Sequence, residues 1–153
     1  MSSPKLYKII DAIAKRLEVI FQEDGFYTNM GLSVIRTQRA PQADEMPCCI
    51  VYLGERSAES QQCDRTRCTM LINVIGYAER LPDAEQLGMQ IMADIQRAVE
   101  LEDTTLGGLL RGQFGLGFES EEIFVPEVGA NVVGARVTYS APNVRIYGDP
   151  EIS

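Results

Sequence analysis

From Thr66 to Ala78 the chain reads Thr-Arg-Cys-Thr-Met-Leu-Ile-Asn-Val-Ile-Gly-Tyr-Ala. The run is rich in residues that favour extended backbone, and successive side chains of a strand point to opposite faces. Counting by twos puts Cys68, Met70, Ile72, Val74 and Ala78 on one side, with Leu71, Ile75 and Tyr77 on the other. A strand this long and apolar on both faces predicts the middle of a packed sheet. It leads directly into a helical pattern that opens at Pro82.

The flanking segments supply the partners such a strand needs. Ser3-Pro4 predicts a helix start, with Ser3 as cap and Pro4 in the first turn. Leu6, Ile9, Ile10, Ile13, Leu17, Ile20 and Phe21 then recur at helical spacing, while Lys8, Asp11, Lys15 and Glu18 lie mostly off that stripe. Gly25 reads as the stop. Leu32–Ile35 fits a short strand, and Arg36–Met46, with Pro41, an exposed loop. Pro47 introduces an apolar strand, Cys48–Leu53. Gly54–Asp64 is apolar only at Ala58 and Cys63 and reads as a long arm between two antiparallel strands, well beyond a tight hairpin turn.

The second helix is expected to carry Pro82 and Asp83 in its first turn. Ala84, Leu87, Ile91, Ile95 and Ala98 mark its buried side, helped by Met92 and Val99. Glu100, Glu102 and Asp103 stand at its end, where the macrodipole disfavours negative charge. Local stability gives no reason for them; solvent screening or a partner surface does. After a glycine-rich passage (Gly107 to Gly117), Gln113–Val125 holds strand-like pieces interrupted by Glu119-Ser120-Glu121-Glu122, and Pro126–Gly129 reads as a turn. Val132–Ser140 predicts a last strand with Val133, Ala135, Val137 and Tyr139 on one face. The expected fold is α+β: a mainly antiparallel or mixed sheet of four to five strands with two helices packed on one face. It forms one domain, residues 1–153, with exposed loops near 36–46, 54–65 and 119–131 and an extended C-terminal arm, 141–153.

With 153 residues the chain suits a single domain that buries roughly two-thirds of its unfolded surface. Its net charge of -8, without a clustered basic stripe, makes it a poor grip for phosphate backbones. No stretch approaches the roughly 20 apolar residues of a membrane span. The first residues lack a signal-peptide pattern, so a cytoplasmic origin and reduced thiols at Cys48, Cys49, Cys63 and Cys68 are expected.

Catalytic chemistry finds little support. Without histidine, neither Ser-His-Asp nor Cys-His catalysis is available, nor the commonest transition-metal ligand. Adjacent Cys48 and Cys49 point to opposite strand faces, and Cys63-x4-Cys68 is looser than a zinc pair, so buried thiols are expected. Gly112-Gln-Phe-Gly115-Leu-Gly117 lacks the Lys-Ser/Thr ending of a phosphate loop and opens no helix. Glu119 to Glu122 read as a solvated run rather than a calcium loop. No catalytic, cofactor or metal residue is assigned. Arg65 and Arg67 share a strand face near the base of the arm. They read either as an exposed strand end or as partners for acids of a neighbouring subunit. With Arg56, Glu59, Glu119, Glu121 and Glu122 they form the candidate set of subunit or partner contacts.

Most of the chain resembles the tail terminator (tail completion) proteins of long-tailed bacteriophages. The likeness rests on the first helix through Phe21, Pro47-Cys-Cys-Ile-Val-Tyr52, the polar arm, and Leu71-Ile-Asn-Val-Ile75. Asp83-Ala-Glu-Gln-Leu87, Leu106-Gly-Gly-Leu109 and Gly134-Ala-Arg-Val-Thr-Tyr139 complete it. The resemblance implies a virion protein of the tail neck that forms a ring, typically a hexamer. It implies partners in the tail tube protein, whose polymerisation the ring ends, and in the head's connector. Genome DNA would pass through such a ring without specific binding. No catalytic motif is carried over, and contact residues do not transfer by position. A head-tail joining or head completion protein is the nearest alternative. A small hydrolase using carboxylates, or a regulatory ligand-binding domain, represents other classes.

Overall fold

The computed structural model describes residues 4–62, 65–79, 83–110, 115–124 and 132–146. Helices α1 (Lys5–Leu17) and α2 (Ala84–Glu100) accompany strands β1 (Val34–Ile35), β2 (Cys48–Gln62), β3 (Arg65–Glu79), β4 (Gly117–Phe124) and β5 (Val132–Ile146). The strands form one mixed sheet in the order β1-β2-β3-β5-β4. β1 runs parallel to β2, and every other neighbouring pair is antiparallel. The run rich in β-branched residues is therefore the third of five strands, the central position its sequence predicts. The fold class is α+β, as expected.

The period-2 pattern decides which face the helices cover. Met70, Ile72 and Val74 of β3 are buried together with Cys49 and Val51 of β2 and Val133, Ala135, Val137 and Tyr139 of β5. Ile9, Ile13 and Leu17 of α1 and Ile91, Ile95 and Val99 of α2 close over that face in a single core. Each such side chain contributes about 1.5–3 kcal/mol of burial. Gly76 permits the close approach: a Cβ there would lie 2.4 Å from Ile91 Cγ2 and 2.6 Å from Met30 Sδ. Among the described residues the opposite face carries no helix. There Ile50 pairs with Ile75 and both are buried, while Leu71 and Tyr77 are half-buried.

Several boundaries differ from expectation. α1 begins at Lys5 with Pro4 in the capping position, without a side-chain cap, and ends at Leu17, short of Phe21. Ile20 is still wholly buried although it lies outside the helix, because the chain turns back beneath it and Gly31 N–H donates to its carbonyl. Gly25, at φ +92°, ends the short 3-10 turn Gln22–Asp24 rather than α1. Asp83 precedes α2 as its N-cap, and its carboxylate accepts from Gln86 N–H.

The largest correction concerns the stretch expected as a loop at 54–65. β2 continues through it to Gln62, paired with β3 as far as Gln62↔Arg65, with irregularities between Leu53 and Arg56 and between Ala58 and Ser60. Its polar composition reads as loop, yet an exposed strand needs no apolar residues when the neighbouring strand supplies the ladder. The loop expected at 119–131 is also corrected over its first residues: Glu119–Phe124 belong to β4, where a register shift between Phe118 and Ser120 leaves Glu119 as the bulged residue. Residues 125–131, including the turn expected at Pro126–Gly129, lie outside the described residues. The 36–46 segment is irregular, as expected, with a 3-10 turn at Ala43–Glu45. Of the C-terminal arm expected at 141–153, residues 141–146 extend β5 and 147–153 lie outside the described residues.

Candidate assembly interface

Among the described residues, no group of three His, Cys, Asp or Glu is arranged to hold a metal ion. No described helix is long and apolar enough to cross a membrane. Cys48 and Cys49 are wholly buried, Cys49 within the helix-covered core. Burial pushes the Cys48 thiol up to about 11 and Cys49 further still, which keeps both protonated and poorly nucleophilic. Cys68 is likewise buried. A cleft of about 480 Å³ opens between the Tyr27–Thr28 turn, Pro47, the end of β3 and α2. Among the described residues, Glu79 is the one acid in its lining.

The predicted contact residues fall into two groups on different parts of the sheet. Arg56, Glu59, Arg65 and Arg67 lie on the β2–β3 hairpin beyond the rung where β1 ends. Arg65 and Arg67 are exposed on the face without helices. Glu59, at the second irregularity of β2, accepts a hydrogen bond from the Thr69 hydroxyl. Glu119, Glu121 and Glu122 sit on β4, at the far edge. Glu121 accepts from the Gln96 amide of α2. Glu122 pairs with Arg136 at 2.6 Å, and that guanidinium lies 5.5 Å from the Phe124 ring centre. Glu119 is exposed at the bulge. The fold therefore keeps the arginines of the arm and the acids of β4 apart within one chain.

On each side of the sheet the outer described strand is shorter than its neighbour. Among the described strands, β1 pairs with β2 only at Cys49 and Ile50, and β2 runs on beyond that rung to Gln62. On the other side, β4 pairs with β5 only as far as Ser140, and β5 runs on over 141–146. Pro142 lies in that second stretch, where β5 is an edge strand and a missing N–H breaks no ladder on its outer side.

Two of the acids near the end of α2 acquire local roles that the sequence did not supply. The carboxylate of Glu100 accepts from the hydroxyl of wholly buried Tyr139 at 3.2 Å. Asp103 accepts from the Thr105 hydroxyl and from the N–H groups of Thr105 and Gly107, which holds its carboxyl below the usual range. It closes a turn in which Leu106, Gly107 and Gly108 all have positive φ. The expectation that local stability gives no reason for these acids is thus corrected for Glu100 and Asp103.

Sequence reasoning also passed over two exposed apolar residues, Leu53 and Phe118. Leu53 closes an apolar run and carries no separate signal; Phe118 stands among acids where nothing marks its exposure. Beside Leu53 an open groove of about 370 Å³ lies between α1 and β2. No protein-family model matches this chain, and no curated protein matches it significantly.

Proposed function

We propose that this protein is a structural virion component that assembles as a ring on the head-proximal end of a phage tail tube, ends tube growth and offers a surface to the head's connector. The observation that carries the reading is that one sheet has two unlike sides, each with a long strand running on past a shorter outer one. A head-to-tail contact needs two different surfaces per subunit and closes into a ring when its rotation closes. β2 runs on past the end of β1, and β5 runs on past the end of β4, so the two sides of the sheet offer two different surfaces. The edge of a sheet is a place where another chain can add.

The function is binding and capping, without chemistry. Cys48 and Cys49, buried and held protonated, are poor nucleophiles, in keeping with that part of the reading. The net charge of -8 suits a ring through which DNA passes without being held, since acids repel phosphates over a screening length of about 10 Å at moderate salt. The likeness of the sequence to tail terminators supports the specific place in the virion. The test is tube assembly in vitro. Adding this protein to polymerising tail tube protein should stop elongation at substoichiometric amounts, with the cap at one end in micrographs. Tubes that grow to the same length with and without it would contradict the proposal.

A further inference from the structure

Strand β4 sets an aromatic ring beside an acid on each of its faces. On the face away from α1 and α2, Glu122 and Phe124 oppose Arg136 and Gly134 of β5. Arg136 completes that pair: its guanidinium meets Glu122 at 2.6 Å and lies 5.5 Å from the Phe124 ring centre. On the helix-covered side Phe118 and Glu121 oppose Tyr139 and Val137, with Glu119 bulged between them. Phe118 is 51% exposed. Among the described residues no arginine or lysine joins this second pair. Glu121 is held only by the neutral Gln96 amide. Glu100 adds its carboxylate to the same surface through the Tyr139 hydroxyl. Burial, then the charges of Glu100 and Glu121, push that hydroxyl well above the usual tyrosine range, so both acids stand close to it.

The complementary charge lies on the arm. Arg65 and Arg67 are exposed, and the residues opposite them are uncharged: Gln62 and Ser60 of β2, Ile146 and Val144 of β5. Glu59, on the adjoining strand, accepts from the Thr69 hydroxyl. Among the described residues neither arginine makes an ion pair. They do not reach Phe118 of their own chain. Arg67 lies about 17 Å along β3 from the Ile72–Tyr139–Phe118 rung, and β4 is two strand spacings, about 10 Å, to the side.

We infer that Arg65 and Arg67 of one copy dock against Phe118, Glu119 and Glu121 of a second copy. A guanidinium over an aromatic ring beside a carboxylate is the arrangement the chain already makes at Arg136, and it suits arginine in particular. The contact joins unlike surfaces, as a head-to-tail assembly requires. The arm also has the reach. β4 pairs with β5 no further than Ser140, which opposes Leu71, so the rungs from Met70 to Arg65 run about 20 Å past it. The register shift between Phe118 and Ser120 fits this role, since bulges at sheet edges re-aim side chains.

The contact rests on the ring reading for its repetition around a closed symmetry, but the docking pair is tested without any tail. Two double variants are made, Arg65→Glu with Arg67→Glu and Glu119→Arg with Glu121→Arg, and melting curves confirm that each folds. Glu119→Arg alone, at the exposed bulge, takes the place of the second double variant if that one does not fold. Sedimentation velocity reads self-association. The parent is expected to associate, and each variant alone to do so at least about tenfold more weakly, since each sets like charges face to face. An equal mixture is expected to recover association to within about threefold of the parent, because each altered surface then meets its opposite charge on the other variant. A parent that stays monomeric, variants that associate as well as the parent, or a mixture no better than its components overturns the contact. Recovery on mixing by a protein that leaves tube length unchanged would keep the contact and remove the tail role; normal capping by the parent without recovery in the mixture would do the reverse.

Discussion

Asp94 lies on the buried side of α2, 1% exposed, and accepts from Tyr27 N–H, Thr28 N–H and the Thr28 hydroxyl at 2.7–3.0 Å. It fixes the turn after Gly25 against the helix, aided by Arg97, which donates to the Gly25 carbonyl and lies over the Phe26 ring. An acid in a helical pattern reads as solvent-facing, so this clamp was not legible until the turn and the helix were brought together. Asp94→Ala leaves three donors without their acceptor, and the expected loss is about 3 kcal/mol. Urea denaturation checks it: the midpoint should fall clearly, and an unchanged midpoint would remove the clamp from the account. Glu45 gives a pH-dependent case. The Arg39 guanidinium beside it, then Gln42 N–H, lower its carboxyl from 4.5 to about 2. A folded-state value below the unfolded one contributes stability above about 4.5, lost as pH falls through about 2. Glu45→Gln should therefore be less stable than the parent near neutrality, and the gap should close between those two values. A gap independent of pH would contradict the pairing.

At the scale of elements, the period of the apolar residues was the informative signal. Ile72 and Val74 face the helices, Ile91 and Ile95 answer from α2, and Val133 to Tyr139 complete the layer, all as their spacing predicts. Gly76 interrupts the apolar run for a packing reason that emerges only when Ile91 and Met30 are in place. Gly76→Ala should destabilise the fold by about 1–3 kcal/mol through overpacking; a thermal melt measures it, and no loss would mean that α2 yields freely. The arm was illegible for a different reason. Gly54 to Gln62 carry loop-like side chains, and the extended form of Arg56–Gln62 follows from pairing with Arg65–Met70 in the adjoining strand, which the composition of the segment itself does not encode. The candidate contacts on β4 were named from their charge alone. Their partners Gln96 and Arg136 come from other elements and show why two of those acids serve the fold as well as the surface.

On the scale of the whole molecule, the residues that fold the chain and those proposed to assemble it lie in different places. The core lies under the helices, while the arm and the two sheet edges carry the surfaces assigned to partners. Arg65→Glu with Arg67→Glu should leave stability within about 0.5 kcal/mol of the parent, since both positions are exposed. The same double variant should impair assembly on tubes, scored by micrographs of capped ends. Full capping by this variant would show that the arm's charge is dispensable. The most direct test of the central claim is negative-stain microscopy of particles made when the gene carries an early stop codon. Overlong or irregular tubes beside separate, filled heads are the predicted result. Intact virions with tails of normal length would contradict it.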